Sequence, residues 1–291
     1  MNKFIIGILF LNCLSGCFTD SIKPNELLDY QHRMVVNAVA TAGELVLLEL
    51  TSSEPAIDST LPMAIEDAII EITTLGGVES MPYDIFNEYY KSSSSFVAGE
   101  SINIKVSHPS FPNVSSTISF PKAINSSGIM IEDGGIDTGG LAGDLLQVSF
   151  KDQGGINNYY KIRVSYLNQT LGQWIPINFD KKDPSLADYN SYLLNDAGVL
   201  FSDELFDGQT KTISIVAPSG IVASNTGDKY KIELSSISTD LYKYYNSLQR
   251  ARDAKANGFQ GSFNNAVVIH SNISSGLGIL GAQTKHDIIL K

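Results

Sequence analysis

Residues 100–109, ESINIKVSHP, alternate without a break: Ile102, Ile104 and Val106 fall on one face, and Ser101, Asn103 and Lys105 on the other. Period two over such a length is the mark of a half-buried strand. A chain built from runs like this must pair them into sheets and cover one face of each. The runs recur in RMVVNAVA (33–40), GELVLLELT (43–51), AIEDAIIEIT (64–73) and VSSTISFP (114–121). So many short strands close together predict an N-terminal β-sandwich, Ig- or transthyretin-like, over 33–122.

Pro121 and the small polar residues of KAINSSG mark a boundary, and a larger β-rich domain is expected over 128–291. DLLQVSFKD places Leu146, Val148 and Phe150 on one face, and YYKIRVSY places Tyr160, Ile162, Val164 and Tyr166 on one face. QGGINN between them reads as a hairpin connection. KTISIVA, KYKIELSSI, NNAVVIHSNI and HDIIL continue as strands. One segment, 238–258, changes period: Leu241, Tyr244, Tyr245, Leu248 and Ala251 form the apolar stripe of an amphipathic helix, expected over about 239–256. Ser238 or Thr239 suits its cap, Asp240 its first turn, Arg250, Arg252 and Lys255 its last turns, and Gly258 its end.

The N-terminus carries a different signal. Lys3 precedes an apolar run, Phe4 to Leu14, too short to span a bilayer as a helix. Leu14-Ser15-Gly16-Cys17 then resembles the bacterial lipobox, in which small residues admit the strand to a narrow peptidase site and the cysteine sulfur takes a diacylglyceryl group. Residues 1–16 therefore read as a lipoprotein signal peptide and Cys17 as the lipidated residue. Residues 17–32 form a tether, of which 18–32 reach about 50 Å fully extended at ~3.3 Å per residue. The only other cysteine, Cys13, leaves with the signal, so no disulfide is expected.

The 291 residues carry 20 Lys and Arg against 31 Asp and Glu, net −11, and loss of Lys3 makes the balance more negative. Such a surface repels nucleic acid. The membrane is expected as a partner through the acyl chains on Cys17, not through a basic patch.

Chemistry-bearing motifs are sparse. FSDELFDG gathers Asp203, Glu204 and Asp207, and IEDGGIDTGG gathers Glu132, Asp133 and Asp137. Carboxylates in glycine-rich loops can ligate Ca²⁺ but more often accept backbone N–H groups in turns. Asp203, Glu204 and Asp207 stand as weak Ca²⁺ candidates, with no metal or cofactor otherwise expected. GLGILG (276–281) matches the dinucleotide fingerprint in form, yet only ten residues follow Gly281, leaving no room for the helix and second strand the fold requires. Its glycines suit a tight turn or close backbone packing. His32, His108, His270 and His286 are scattered without metal-ligand spacing, and His270 is expected as a hydrogen-bonded core or edge residue on a strand. Trp174, the one tryptophan, is expected in the second core. DSI (20–22) and DST (58–60) resemble a short O-glycosylation sequon, which makes Ser21 and Ser59 candidate sites.

The lipobox Cys17, VVNA (35–38), AIIEI (68–72), FVAGESINIKVSHP (96–109), ISFP (118–121), LQVSFKD with YYKIRV, FSDELFDG, ISTDLYKYYNSL (237–248) and SNISSGLGILGA (271–282) together resemble an uncharacterised, domain-of-unknown-function family of Bacteroidota outer-membrane lipoproteins. Its members are often encoded near SusC-like TonB-dependent receptors. The resemblance implies an accessory or ligand-binding lipoprotein beside such a receptor. It supplies no catalytic residues, and the chain is not expected to be an enzyme. A structural or adhesive surface protein is the alternative; a carboxylate-based hydrolase is a more distant one.

Overall fold

The structure, a computed structural model, describes residues 30–55, 61–186, 198–218, 229–257 and 267–291. The signal segment, Cys17, Ser21, Ser59, Gly258 and the Lys255 side chain lie outside the described residues.

Seventeen strands are present in the described residues. In the first half they are β1 (Met34–Thr41), β2 (Leu45–Ser52), β3 (Ile69–Thr74), β4 (Gly77–Ser80), β5 (Tyr83–Asp84), β6 (Tyr89–Ser95), β7 (Ser101–His108) and β8 (Phe111–Ser119). In the second half they are β9 (Ser126–Ile136), β10 (Ala142–Lys151), β11 (Tyr159–Asn168), β12 (Gln173–Ile177), β13 (Asp180–Lys181), β14 (Gly198–Ser202), β15 (Thr210–Val216), β16 (Tyr230–Ile237) and β17 (Leu277–Leu290). The helix α1 covers Thr239–Asn257. The described residues are thus mainly β, with several sheets and one α-helix.

The largest sheet runs β12-β11-β16-β17-β1-β2-β6-β5, with β14 also on β11; two four-stranded sheets run β4-β3-β7-β8 and β13-β15-β10-β9. In the first half the alternating strands do what their period demands. Ile102, Ile104 and Val106 of β7 turn inward against Val36, Val46 and Leu48 of the large sheet, in one buried cluster. In the second half Leu146, Val148 and Phe150 of β10 meet Tyr160, Ile162 and Val164 of β11 in another.

That second contact corrects the hairpin expected at QGGINN. β10 pairs with β9 and β15, whereas β11 pairs with β12, β14 and β16. The two strands stand in facing sheets because each has one apolar face, and those faces are best buried against each other. The connection crosses between layers. NNAVVIHSNI is corrected too: its described residues, 267–273, form no regular strand, and Val268 is exposed. IEDGGID, read as an acidic loop, lies largely within β9.

β17 joins the halves. Its first part pairs in parallel with β1, Val35↔Leu277 to Thr41↔Gln283, and its second part pairs with β16, Ile237↔Gln283 to Tyr230↔Leu290. The glycines of GLGILG sit at this crossing. Gly278 has φ +98, and a Cβ there would lie 2.1 Å from Val36 O; a Cβ on Gly281 would lie 2.7 Å from the Leu241 side chain of α1. They serve close backbone and helix approach inside a strand.

Ser238 caps α1: its Oγ accepts the Leu241 N–H, and its carbonyl accepts the Tyr242 N–H. Only Leu241 of the predicted stripe is fully buried, while Tyr244, Tyr245, Leu248 and Ala251 are half covered. Tyr242, outside the stripe, stacks on Tyr159 of β11 with ring centroids 4.1 Å apart. The helix is therefore held mostly by its first turns.

Candidate functional site

Between the two halves lies a cleft of about 560 Å³. Three segments build it. One is the stretch from Thr117 to Ile124, where β8 ends and the chain crosses to β9. The second is the loop after β10, and the third the end of β16 with the start of α1. The Thr284 hydroxyl donates to Pro121 O at 2.6 Å and fixes the crossing against β17. Lys122, Asn157, Tyr159, Ser236 and Asp240 give the cleft a mixed polar wall. Asp240 is turned toward His270, whose Nε2 lies 2.8 Å from its carboxylate.

Behind the wall stand three carboxylates. Oxygens of Asp152, Asp203 and Asp207 all lie within 4.8 Å of one another; the first two residues are buried and Asp207 is exposed. Three like charges so close repel unless compensated. Donors supply that compensation. The Tyr160 hydroxyl and the Gly208 N–H (2.7 Å) donate to Asp152. The Asn158 N–H (2.9 Å) and Nδ2 (3.1 Å) donate to Asp203, and the Gly155 N–H (2.8 Å) to Asp207. Burial, then the adjacent Asp152 carboxylate, pushes the Tyr160 phenol well above its ordinary value, so it remains a donor. Two glycines let the loops meet: a Cβ on Gly154 would lie 2.9 Å from the Gly208 Cα. The carboxylates therefore clamp the 152–158 loop, which lines the cleft, onto the 203–209 turn. Hard oxygen ligands at this spacing also suit a calcium-sized cation.

The sequence candidates fall as follows. Asp203 and Asp207 come together, and Glu204 is exposed outside the group. Asp152 completes it, a lone acid after β10 with no local cluster to flag it. Glu132 bonds Lys229 Nζ at 3.2 Å, the Asp133 N–H donates to Asp144, and Asp137 accepts the Leu141 N–H in a turn. The histidines make separate contacts: His32 with Ser53 O, His108 with Asp67 and His286 with Ser126. His270 is half-buried but lies on no strand. Trp174 is corrected from the second core to the edge strand β12, half exposed, with Lys231 Nζ 5.8 Å from its ring centroid. The apolar core around it is already filled by side chains from β10, β11 and β16.

Asn272 has a role that no local pattern in the sequence marks. Its Nδ2 donates to Leu280 O (2.8 Å) and its Oδ1 accepts the Leu280 N–H (3.0 Å), closing an edge of β17 as a strand partner would. The Ser238 Oγ accepts the next inward N–H, that of Ala282.

This architecture, one large sheet packed against two smaller ones and crossed by one long C-terminal strand, has a family. The model of a domain of unknown function, DUF4249, matches residues 19–289, and the chain belongs to that family. Among solved structures it is similar to the crystal structure of a "putative membrane anchored protein" from Corynebacterium diphtheriae. The identity is 11% and the TM-score 0.20, over 85% of this chain and 59% of that one, so this chain spans under two thirds of that protein's length. No curated protein matches.

Proposed function

We propose that this chain is a non-catalytic lipoprotein, held in the outer membrane by acyl chains on Cys17, that works as an accessory or ligand-binding component beside a TonB-dependent receptor. The cleft between the halves is the observation that carries the binding part of this reading. Its volume lies within the usual ~300–1,000 Å³ of small-ligand sites, and it opens where two packed units meet. The carboxylate behind its wall is committed to Tyr160 and Gly208, an arrangement that holds a loop in place. Among the described residues no helix is long and apolar enough to cross a membrane; in this reading the anchor is lipid, two or three acyl chains at ~0.8 kcal/mol per buried CH₂.

Two measurements test it. Mass spectrometry of the membrane-extracted protein should find an N-terminal acylated Cys17, and Cys17→Ser should leave the leader uncut and the acyl mass absent. Affinity purification of tagged protein from native membranes should recover a TonB-dependent receptor. Repeated recovery of none would remove the partnership while leaving the anchor standing.

A further inference from the structure

The described chain begins at one end of the first half, and large apolar side chains lie exposed there. Strand pairings define it. Met34 opposes Ser52, the Ser53 N–H donates to Arg33 O, and the Ser52 N–H donates to Met63 O. β6 runs antiparallel to β2, with Leu48 opposite Tyr90 and Leu45 opposite Ser95, so the β5–β6 turn projects from the same end. There Phe86 is 94% exposed, Leu61 85%, Met63 71% and Ile85 68%. Single exposed apolar residues are ordinary, but a group of large ones at one end marks an interaction surface.

The tip cannot fold its apolar residues away. The Asp84 carboxylate accepts the Phe86 N–H (3.1 Å), the Asn87 N–H (3.3 Å) and Asn87 Nδ2 (2.8 Å), while Asp84 O accepts the Glu88 N–H (2.8 Å). The turn is built to present Ile85 and Phe86 outward.

We infer that this end rests on a lipid surface, with Ile85 and Phe86 of the turn, flanked by Leu61 and Met63, entering the boundary between headgroups and acyl chains. The inference rests on the acyl anchor at Cys17 proposed above. The argument for lipid as the occupant is where the chain departs. The segment leading back to Cys17 leaves from Tyr30, at the end that carries these side chains, and thirteen residues reach no more than ~45 Å. An anchored molecule therefore holds this end nearest the bilayer, where an apolar tip can enter ~5–10 Å deep. The rim carries Asp67, Asp84 and Glu88, so the fitting surface is zwitterionic.

The test uses the full-length lipoprotein reconstituted in phosphatidylcholine vesicles with brominated acyl chains. In a Trp174→Phe background, Phe86→Trp and, independently, Ile85→Trp report on the tip. Leu75→Trp, on the β3–β4 turn at the opposite end, is the control. Circular dichroism checks that each variant folds. Both tip probes should shift emission to shorter wavelength and lose most of it to bromine, and the control should not. Tip probes that stay unquenched on protein that floats with the vesicles overturn the inference, keep the anchor, and leave the tip to a protein partner. Equal quenching at both ends also overturns it. Protein that neither floats nor carries an acyl mass refutes anchor and docking together.

Discussion

Gly278→Ala tests the junction on which both halves depend. Gly278 lies opposite Val36 in the parallel β1–β17 ladder, and Val36 is buried and paired on its other side with Leu50 of β2. Two costs add. The φ of +98 is unfavourable for any residue with a Cβ, by ~1–2 kcal/mol. The new Cβ would also lie 2.1 Å from Val36 O and 2.8 Å from Val36 C, backbone atoms that cannot rotate aside. Relieving that contact means separating β17 from β1, at ~1 kcal/mol for each ladder bond lost. The sum is ~3 kcal/mol or more, at the severe end for a single substitution. Gly43→Ala isolates the first cost: its φ is +83, with nothing within 4 Å of the added Cβ, so ~1–2 kcal/mol is expected. Urea unfolding of the two variants, compared through midpoints at constant m-value, should separate them by ~2 kcal/mol. If Gly278→Ala costs no more than Gly43→Ala, the close approach of β17 to β1 is not a determinant of stability, and the account of the glycine run fails.

Asn272→Ala should cost ~2 kcal/mol, because it strips both partners from the buried Leu280 backbone, and hydrogen exchange should speed selectively at the Leu280 amide. Leu241→Ala should cost ~2–5 kcal/mol and loosen α1, read as increased exchange along Thr239–Asn257; Leu241 is fully buried in a cluster with Ile279 and Ile237. Acid should weaken the second half through Asp144. Burial pushes that carboxyl up, but bonds from Lys229 Nζ, the Tyr230 hydroxyl and the Asp133 N–H outweigh it and hold its folded value below the ordinary one. A lowered folded value contributes stability above the unfolded pKa of ~3.9 and loses it as pH falls through the folded value. Stability should therefore drop with acidification below about pH 4, and Asp144→Asn should flatten that limb in urea titrations; an unchanged slope would refute the assignment.

Much of this protein could be read locally. The alternation in 100–109 determined which side chains of β7 are buried, and Ser238 with Asp240 marked where α1 begins, because periodicity and capping depend only on neighbouring residues. What each face is buried against was not determined locally. The alternation in 144–152 and 159–166 is equally compatible with a hairpin or with two strands in facing layers, and only the packing of Phe150 against Tyr160 settles it. Asp152 became the third member of a carboxylate group because one turn brought Asp203 and Asp207 to it across some fifty residues of chain. Gly278 and Asn272 likewise acquire their meaning from β1 and from an unpaired edge of β17. By itself the sequence determined the faces and the helix start. The tertiary structure alone decided the partners of those faces, since they are set by contacts between residues far apart in the chain, where spacing carries no information.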